Sequence, residues 1–261
     1  MRLHRIRSVV LHAWHHMLHS RETWIDIGWF PVVTTLSIGG LTTYISRQNG
    51  STESLFPLVA IVMWYAIEVG NYSIAIGALW EIWARSFSSL FISPLTVEEF
   101  VAGHILFSIF KQVIIVGLLS LITTVLFGIS PIIFGYMLPL YLVLLAIYGW
   151  GFGMFVFGLI LRFGTGLQSL AWGLVVGLQP LIGIYYPLDV VPPVLRVLSD
   201  SISPSHVFRS ARSQIAGGEP LWDAIGTALI LDIMTAIMGY IFMKAMWKRA
   251  REQGTLARME E

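Results

Sequence analysis

Charged and titratable side chains are scarce in this chain, so the few that interrupt its apolar stretches carry the first information about chemistry. His12, His15, His16 and His19 recur at helical steps, a spacing that could turn two or three imidazoles toward one metal ion. The plainer expectation, preferred here, is a polar helix face that titrates near neutral pH. Glu68, Lys111 and Asp232 fall in the middle of long apolar segments, where a charge is costly and usually meets a partner or water. Glu68 and Lys111 are opposite in sign and could pair, as structural glue, as a polar site on a cargo path or as a proton relay. Asp232 has no partner legible in the sequence. Glu81, Arg85 and Phe87 lie in a polar and aromatic interval, in which Trp80, Trp83, Phe87 and Leu90 or Phe91 share one helical face.

Other chemistries find no support. An enzyme acting within the membrane would need a nucleophile with its base or an H-E-x-x-H pair, and neither pattern occurs. His104 and Ser108 are one helical turn apart, a spacing common by chance. No GxxxxGK[ST] phosphate cradle is present, and no polar stretch is long enough to hold a nucleotide-binding domain. The chain is therefore expected to be no enzyme. With no Cys it has neither a disulfide framework nor a thiolate metal site.

The elements that must position these residues follow from composition. Of 261 residues, 56% are hydrophobic and 12% charged, and the mean hydropathy is +0.76, far from the roughly 25% charge of soluble domains. The expected solvent is a bilayer. A spanning helix needs about 20 apolar residues, and six such segments are read at Trp24–Tyr44, Leu55–Leu79, Val101–Phe127, Ile133–Leu161, Gln168–Tyr186 and Leu221–Met243. No segments of alternating polarity recur, which argues against a β-barrel. The expected fold is an all-α membrane protein, a single domain over 1–261. Lys and Arg concentrate in cytoplasmic loops. With the N-terminus inside, only Arg47, Arg196, Arg209 and Arg212 fall outside and Lys111 lies within a span, so both termini are expected in the cytoplasm.

Three segments are not spans. Over residues 1–22, Leu3, Ile6, Val10, Ala13, Trp14 and Met17 form an apolar stripe, which predicts an amphipathic helix in the cytoplasmic interface. It lacks the apolar core and cleavage site of a signal peptide, so no removal is expected. Residues 81–93 predict a short cytoplasmic helix stopped by Pro94, after which Thr96 caps the next helix with Glu98 and Glu99 in its first turn. A helix of this kind between two spans can transmit a push; an interfacial loop pinned by aromatics is the alternative. Residues 187–220 carry Pro187, Pro192, Pro193 and Pro204 among apolar residues, which predicts a broken external segment that re-enters the membrane. Gly149, Gly151, Gly153 and Gly158, with Gly173 and Gly177, are expected to permit close helix approach. Trp24, Trp29, Trp80, Trp83, Tyr136, Trp222 and Trp247 are expected in the interfacial belts.

Two strings carry a resemblance to a known family. LFISPLTVEEFVAGH (Leu90 to His104) and YYPLDVVPPVLRVLSDSISPSHVFRSAR (Tyr185 to Arg212), in this order among six spans, resemble the permease subunits of ABC-2 type exporters, whose architecture is termed type V. The resemblance covers essentially the whole chain. It implies an interfacial N-terminal helix, a coupling helix that docks on an ATPase subunit, and an external re-entrant hairpin. It implies that Glu81, Arg85 and Phe87 couple to that ATPase, that ATP and Mg are bound by the partner and not by this chain, and that a second permease, as a homodimer, completes the path in the inner membrane. Glu68 and Lys111 are the residues expected along that path. The N-terminal stretch lacks the Arg-Tyr and Leu-Gly-Trp pattern of polysaccharide-exporting relatives, which favours a drug-like, lipid or lipid-linked cargo; polysaccharide export is the alternative. An ion-coupled secondary transporter is a third reading, although no inverted repeat is legible.

Overall fold

The computed structural model describes residues 2–49, 55–87 and 93–253, all helix and turn with no strand among them. The chain opens with α1, Leu3–His19. A single turn, Arg21–Trp24, and a π-turn, Ile25–Trp29, lead into α2, Phe30–Asn49. The long helices α3, Phe56–Trp83, α4, Val97–Phe127, and α5, Met137–Phe163, follow. A short helix α6, Gln168–Val176, precedes α7, Pro193–Asp200, α8, Ser203–Ile215, and the closing α9, Trp222–Glu252.

Five of these stretches are long and apolar enough to cross a membrane: Ile25–Gln48, Phe56–Trp83, Val97–Phe127, Met137–Phe163 and Trp222–Glu252. The chain is thus an all-helical protein with the makings of a multi-pass membrane protein. The expected span Gln168–Tyr186 is not one helix. α6 stops at Val176, a 3-10 turn covers Gln179–Leu181, and Gly183 adopts φ +76°. Pro180 has no N–H to continue the helix, and the left-handed backbone at Gly183 ends it. Gly173 meets nothing across a helix interface and Gly177 touches only its own preceding turn. Within the chain these two glycines therefore do not serve the close packing expected of them.

α3 is the axis of the bundle, with 89% of its most apolar window buried, against 28% for α4 and 22% for α9. Glycines set the approach of its neighbours. A Cβ on Gly149 would sit 2.5 Å from the Ile67 carbonyl oxygen, and one on Gly151 would sit 2.8 Å from the Ala236 nitrogen. Gly149 meets Ile67 and Gly153 meets Asn71, so α3 and α5 run in the same direction; Gly151 meets Ala236 and Gly158 meets Phe242, so α9 does too. α4 runs opposite to α3, with the Gln112 amide donating to the Ala66 carbonyl at 2.9 Å. Since α5 and α9 are parallel, the chain between them must return to the end where α5 began. It does so beside α3: Trp172 stacks on Trp83, the Asn71 amide donates to the Ala171 carbonyl, and Arg212 joins the Gly183 carbonyl to the Phe56 ring.

The segment beyond that return is folded back on the bundle. α8 buries Ser205, Val207, Phe208 and Ala211, and Tyr141 on α5 bonds with Ser210 and donates to Gln214. α7 leaves Val194, Val197 and Leu198 exposed. Of the expected belt residues, Trp24, Trp29, Tyr136 and Trp222 are exposed, whereas Trp247 is buried.

Candidate functional site

α4 begins as its sequence predicts. The Thr96 hydroxyl accepts from the Glu99 N–H, and the Glu99 carboxylate accepts from the Thr96 N–H, a closed capping box. The same carboxylate accepts from the Arg2 N–H at 2.8 Å and lies 3.5 Å from the Arg5 guanidinium. Arg5 also donates to the Pro94 carbonyl. Glu98 pairs with Lys244 of α9 at 3.2 Å. One acidic pair thus starts α4 and ties it to α1 and α9.

These ties draw α1 along the first part of α4. Val9 seats on Gly103, where a Cβ would be 2.6 Å away, and Trp14 meets Phe110 edge-on at 5.0 Å. The amphipathic helix read from the sequence therefore packs lengthwise on the first part of α4. Its imidazoles do not converge: His15 and His19 bond the Leu11 and His15 carbonyls one turn back, while His12 turns to Glu81. No group of three metal-ligating side chains occurs among the described residues.

Glu81 is buried in the last turn of α3. Its carboxylate lies 3.0 Å from His12 Nδ1 and accepts from the Ser86 hydroxyl. The bond to Glu81 holds the His12 pKa above its usual 6.5, against the opposing effect of burial. Past Trp83 the helix closes, and Arg85 takes φ +54° with its side chain exposed. This left-handed turn sends the chain back to the bundle at Phe87, which is fully buried. Its ring stands edge-on to Phe100 of α4, Phe157 of α5 and Trp247 of α9, at 6.4, 6.3 and 6.1 Å. Of the three residues expected to couple, only Arg85 faces outward. Of the expected short helix over 81–93, Glu81 to Trp83 belong to α3, and residues 88–92 lie outside the described residues.

Between α1, the π-turn, α3 and α4 lies a polar cavity of about 160 Å³. Glu68 and Lys111 both line it, together with His12, Asp26, Glu81 and His104. Glu68 and Lys111 form no ion pair. The Glu68 carboxylate accepts from Trp64 Nε1 at 2.6 Å, and the Lys111 ammonium sits 5.3 Å over the Phe107 ring. Asp26 stands close enough to act electrostatically on both. Sequence reasoning passed over Asp26 and set His104 aside as a chance neighbour of Ser108. Asp26 lies just inside the first apolar segment, and Gly77 leaves the room that the His104 ring occupies, since a Cβ there would be 2.6 Å from it. Ser108, one turn from His104, accepts instead from Trp150 Nε1 at 2.7 Å.

Asp232 is elsewhere. It is fully buried on α9, both carboxylate oxygens lack a hydrogen-bond partner, and Ser203 in the first turn of α8 is its polar neighbour, equally unbonded through its hydroxyl. No family model matches the chain, and no curated protein matches it.

Proposed function

We propose that the chain is the permease subunit of an exporter driven by ATP hydrolysed on a separate polypeptide, of the ABC-2 type it resembles. One observation carries this reading. The connection between α3 and α4 presents Arg85 outward and two residues later plugs Phe87 among aromatic rings of α4, α5 and α9. A force applied at Arg85 would reach three long helices at once through packed rings, which deform little. Glu81 and Phe87 serve here as the anchors of the coupling segment, and Arg85 as its contact with the ATPase.

The five long helices and the interrupted return beside α3 support six crossings, with both termini in the cytoplasm by the distribution of Lys and Arg. A broken passage is tolerated at membrane depth where protein surrounds it, and α6 lies against α3 and α5. The exposed apolar faces of α4 and α9 suit lipid and a second permease copy. ATP and Mg belong to the partner subunits, and the membrane is the inner one. The cargo is drug-like, lipid or lipid-linked, with polysaccharide as the alternative. Closure of the ATPases would shift the helix bundles and open the path outward.

The cavity favours a second reading, an ion-coupled carrier in which the Glu68 and Asp26 carboxylates would take the coupling ion beside Lys111. Purification from the native membrane in mild detergent separates the two. The exporter reading expects an ATPase subunit to co-purify and Arg85→Ala to weaken its retention. A chain that purifies without ATPase, and whose transport follows a proton or sodium gradient, supports the carrier.

A further inference from the structure

α4 packs on α3 and α9 packs on α5, so the start of α4 and the end of α9 stand apart, with a groove of about 820 Å³ between them. That volume lies within the roughly 300–1,000 Å³ of sites that hold a small organic ligand. The Glu98–Lys244 pair bridges the groove at 3.2 Å, and the Lys244 ammonium also donates to the Tyr240 hydroxyl, so this cation is occupied in holding the two helices. Two further cations, Lys248 and Arg251, line the groove. Lys248 lies 3.9 Å from Glu252, with the side chains 79% and 62% exposed, and so exposed a pair contributes little. Arg251 has no carboxylate partner among the described residues. Glu98 and Glu252 stand against Lys244, Lys248 and Arg251, an excess of one positive charge in the described lining.

Toward the middle of α9 the groove meets an apolar stripe. Ile230, Ile237 and Ile241 are exposed and recur at the helical steps that continue to Lys244 and Lys248. Ile230 to Ile241 rises about 16 Å, half of a hydrocarbon core of about 30 Å. The stripe therefore has the length of one leaflet, and the cations stand at its headgroup end.

We infer that this groove binds an anionic phospholipid, its phosphate on Lys248 and Arg251 and one acyl chain along Ile241, Ile237 and Ile230. The inference rests on the multi-pass reading with a cytoplasmic C-terminus, not on export. Basic pockets between spanning helices on that side take anionic headgroups, and a guanidinium fork matches a phosphate. A soluble phosphate would leave the apolar stripe unused. A zwitterionic lipid would bring its own ammonium against Lys248 and Arg251.

Native mass spectrometry of the full-length chain in mild detergent, with phosphatidylglycerol and phosphatidylcholine of the same acyl chains at equal concentration, reads the preference. Phosphatidylglycerol is expected to be retained in preference. Lys248→Gln and Arg251→Gln should each weaken its retention about fivefold, the scale of one basic residue at an anionic surface. Both side chains are exposed, and melting curves confirm that the variants fold. Arg249→Gln, on the same helix end but outside the groove, should leave the preference intact. An equal loss with Arg249→Gln would mark a diffuse surface potential and overturn the inference. So would equal retention of the two lipids, or displacement of phosphatidylglycerol by inorganic phosphate, which marks a site for a soluble anion. Release of a co-purified ATPase by Arg251→Gln with lipid retention unchanged would give the groove to that subunit instead. Lipid preference in a chain that purifies without ATPase keeps the site while removing the exporter reading.

Discussion

Arg85 and Phe87 are two positions apart and meet opposite environments, and the left-handed turn at Arg85 is what separates them. Phe87→Ala would empty a fully enclosed aromatic site and is expected to cost about 3–5 kcal/mol, read as a lower melting temperature in detergent. Arg85→Ala, on an exposed side chain, should leave that temperature nearly unchanged while weakening retention of the ATPase. Comparing the two separates a support from a contact. His12 gives a pH signature. Its pKa is raised by Glu81, so its contribution to holding α1 is complete below the usual 6.5 and is lost as pH rises through the higher value of the folded protein. Limited proteolysis of α1 is expected to speed up as pH rises through that window. His12→Ala should be cleaved at a rate independent of pH over the same range. At this scale the residue types of the cavity were legible, because a mid-span Glu or Lys is conspicuous. Their partners were not: Glu68 bonds a tryptophan one turn away, and Lys111 rests on a ring, instead of meeting each other.

The elements were legible where local rules govern them. Thr96 with Glu99 is a capping box on paper and in space, and an amphipathic stripe gave α1. Local rules said nothing of α1 lying along α4, which depends on Glu99 and Gly103 accepting Arg2 and Val9. Glycine positions divide in the same way. Gly151 is closed by the α9 backbone, so Gly151→Leu should force α5 and α9 apart and abolish the monodisperse folded protein on size-exclusion chromatography. Gly173 faces open space, and Gly173→Ala is expected to leave the elution and melting temperature unchanged or slightly raised, since Ala favours helix over Gly by about 1 kcal/mol. Both glycines sit in apolar runs, and only the neighbouring helix distinguishes them. The passage after α5 was read as a span from its apolarity, yet Pro180 and Gly183 interrupt it. Hydropathy counts side chains and is blind to a missing N–H.

For the whole molecule, the absence of Cys offers a direct test of topology. Single-cysteine variants Arg85→Cys and Val197→Cys, both at exposed positions, are expected to react with a membrane-impermeant thiol reagent from opposite sides, Arg85→Cys only when the cytoplasmic face is open. Reaction of both from one side would remove the six-crossing reading. By itself the sequence determined that the chain is helical and apolar enough to cross a membrane several times, because a bilayer requires about 20 apolar residues per crossing and leaves that requirement visible in one dimension. It also determined where α4 begins, since a cap is a contact between residues three apart. Only the tertiary structure decided that α5 and α9 run parallel, that the chain must return between them along α3, and that Asp26, Glu68, His104 and Lys111 open onto one cavity. Those outcomes depend on which helix faces meet, and glycines, single carboxylates and ring packing far apart in the chain choose the faces.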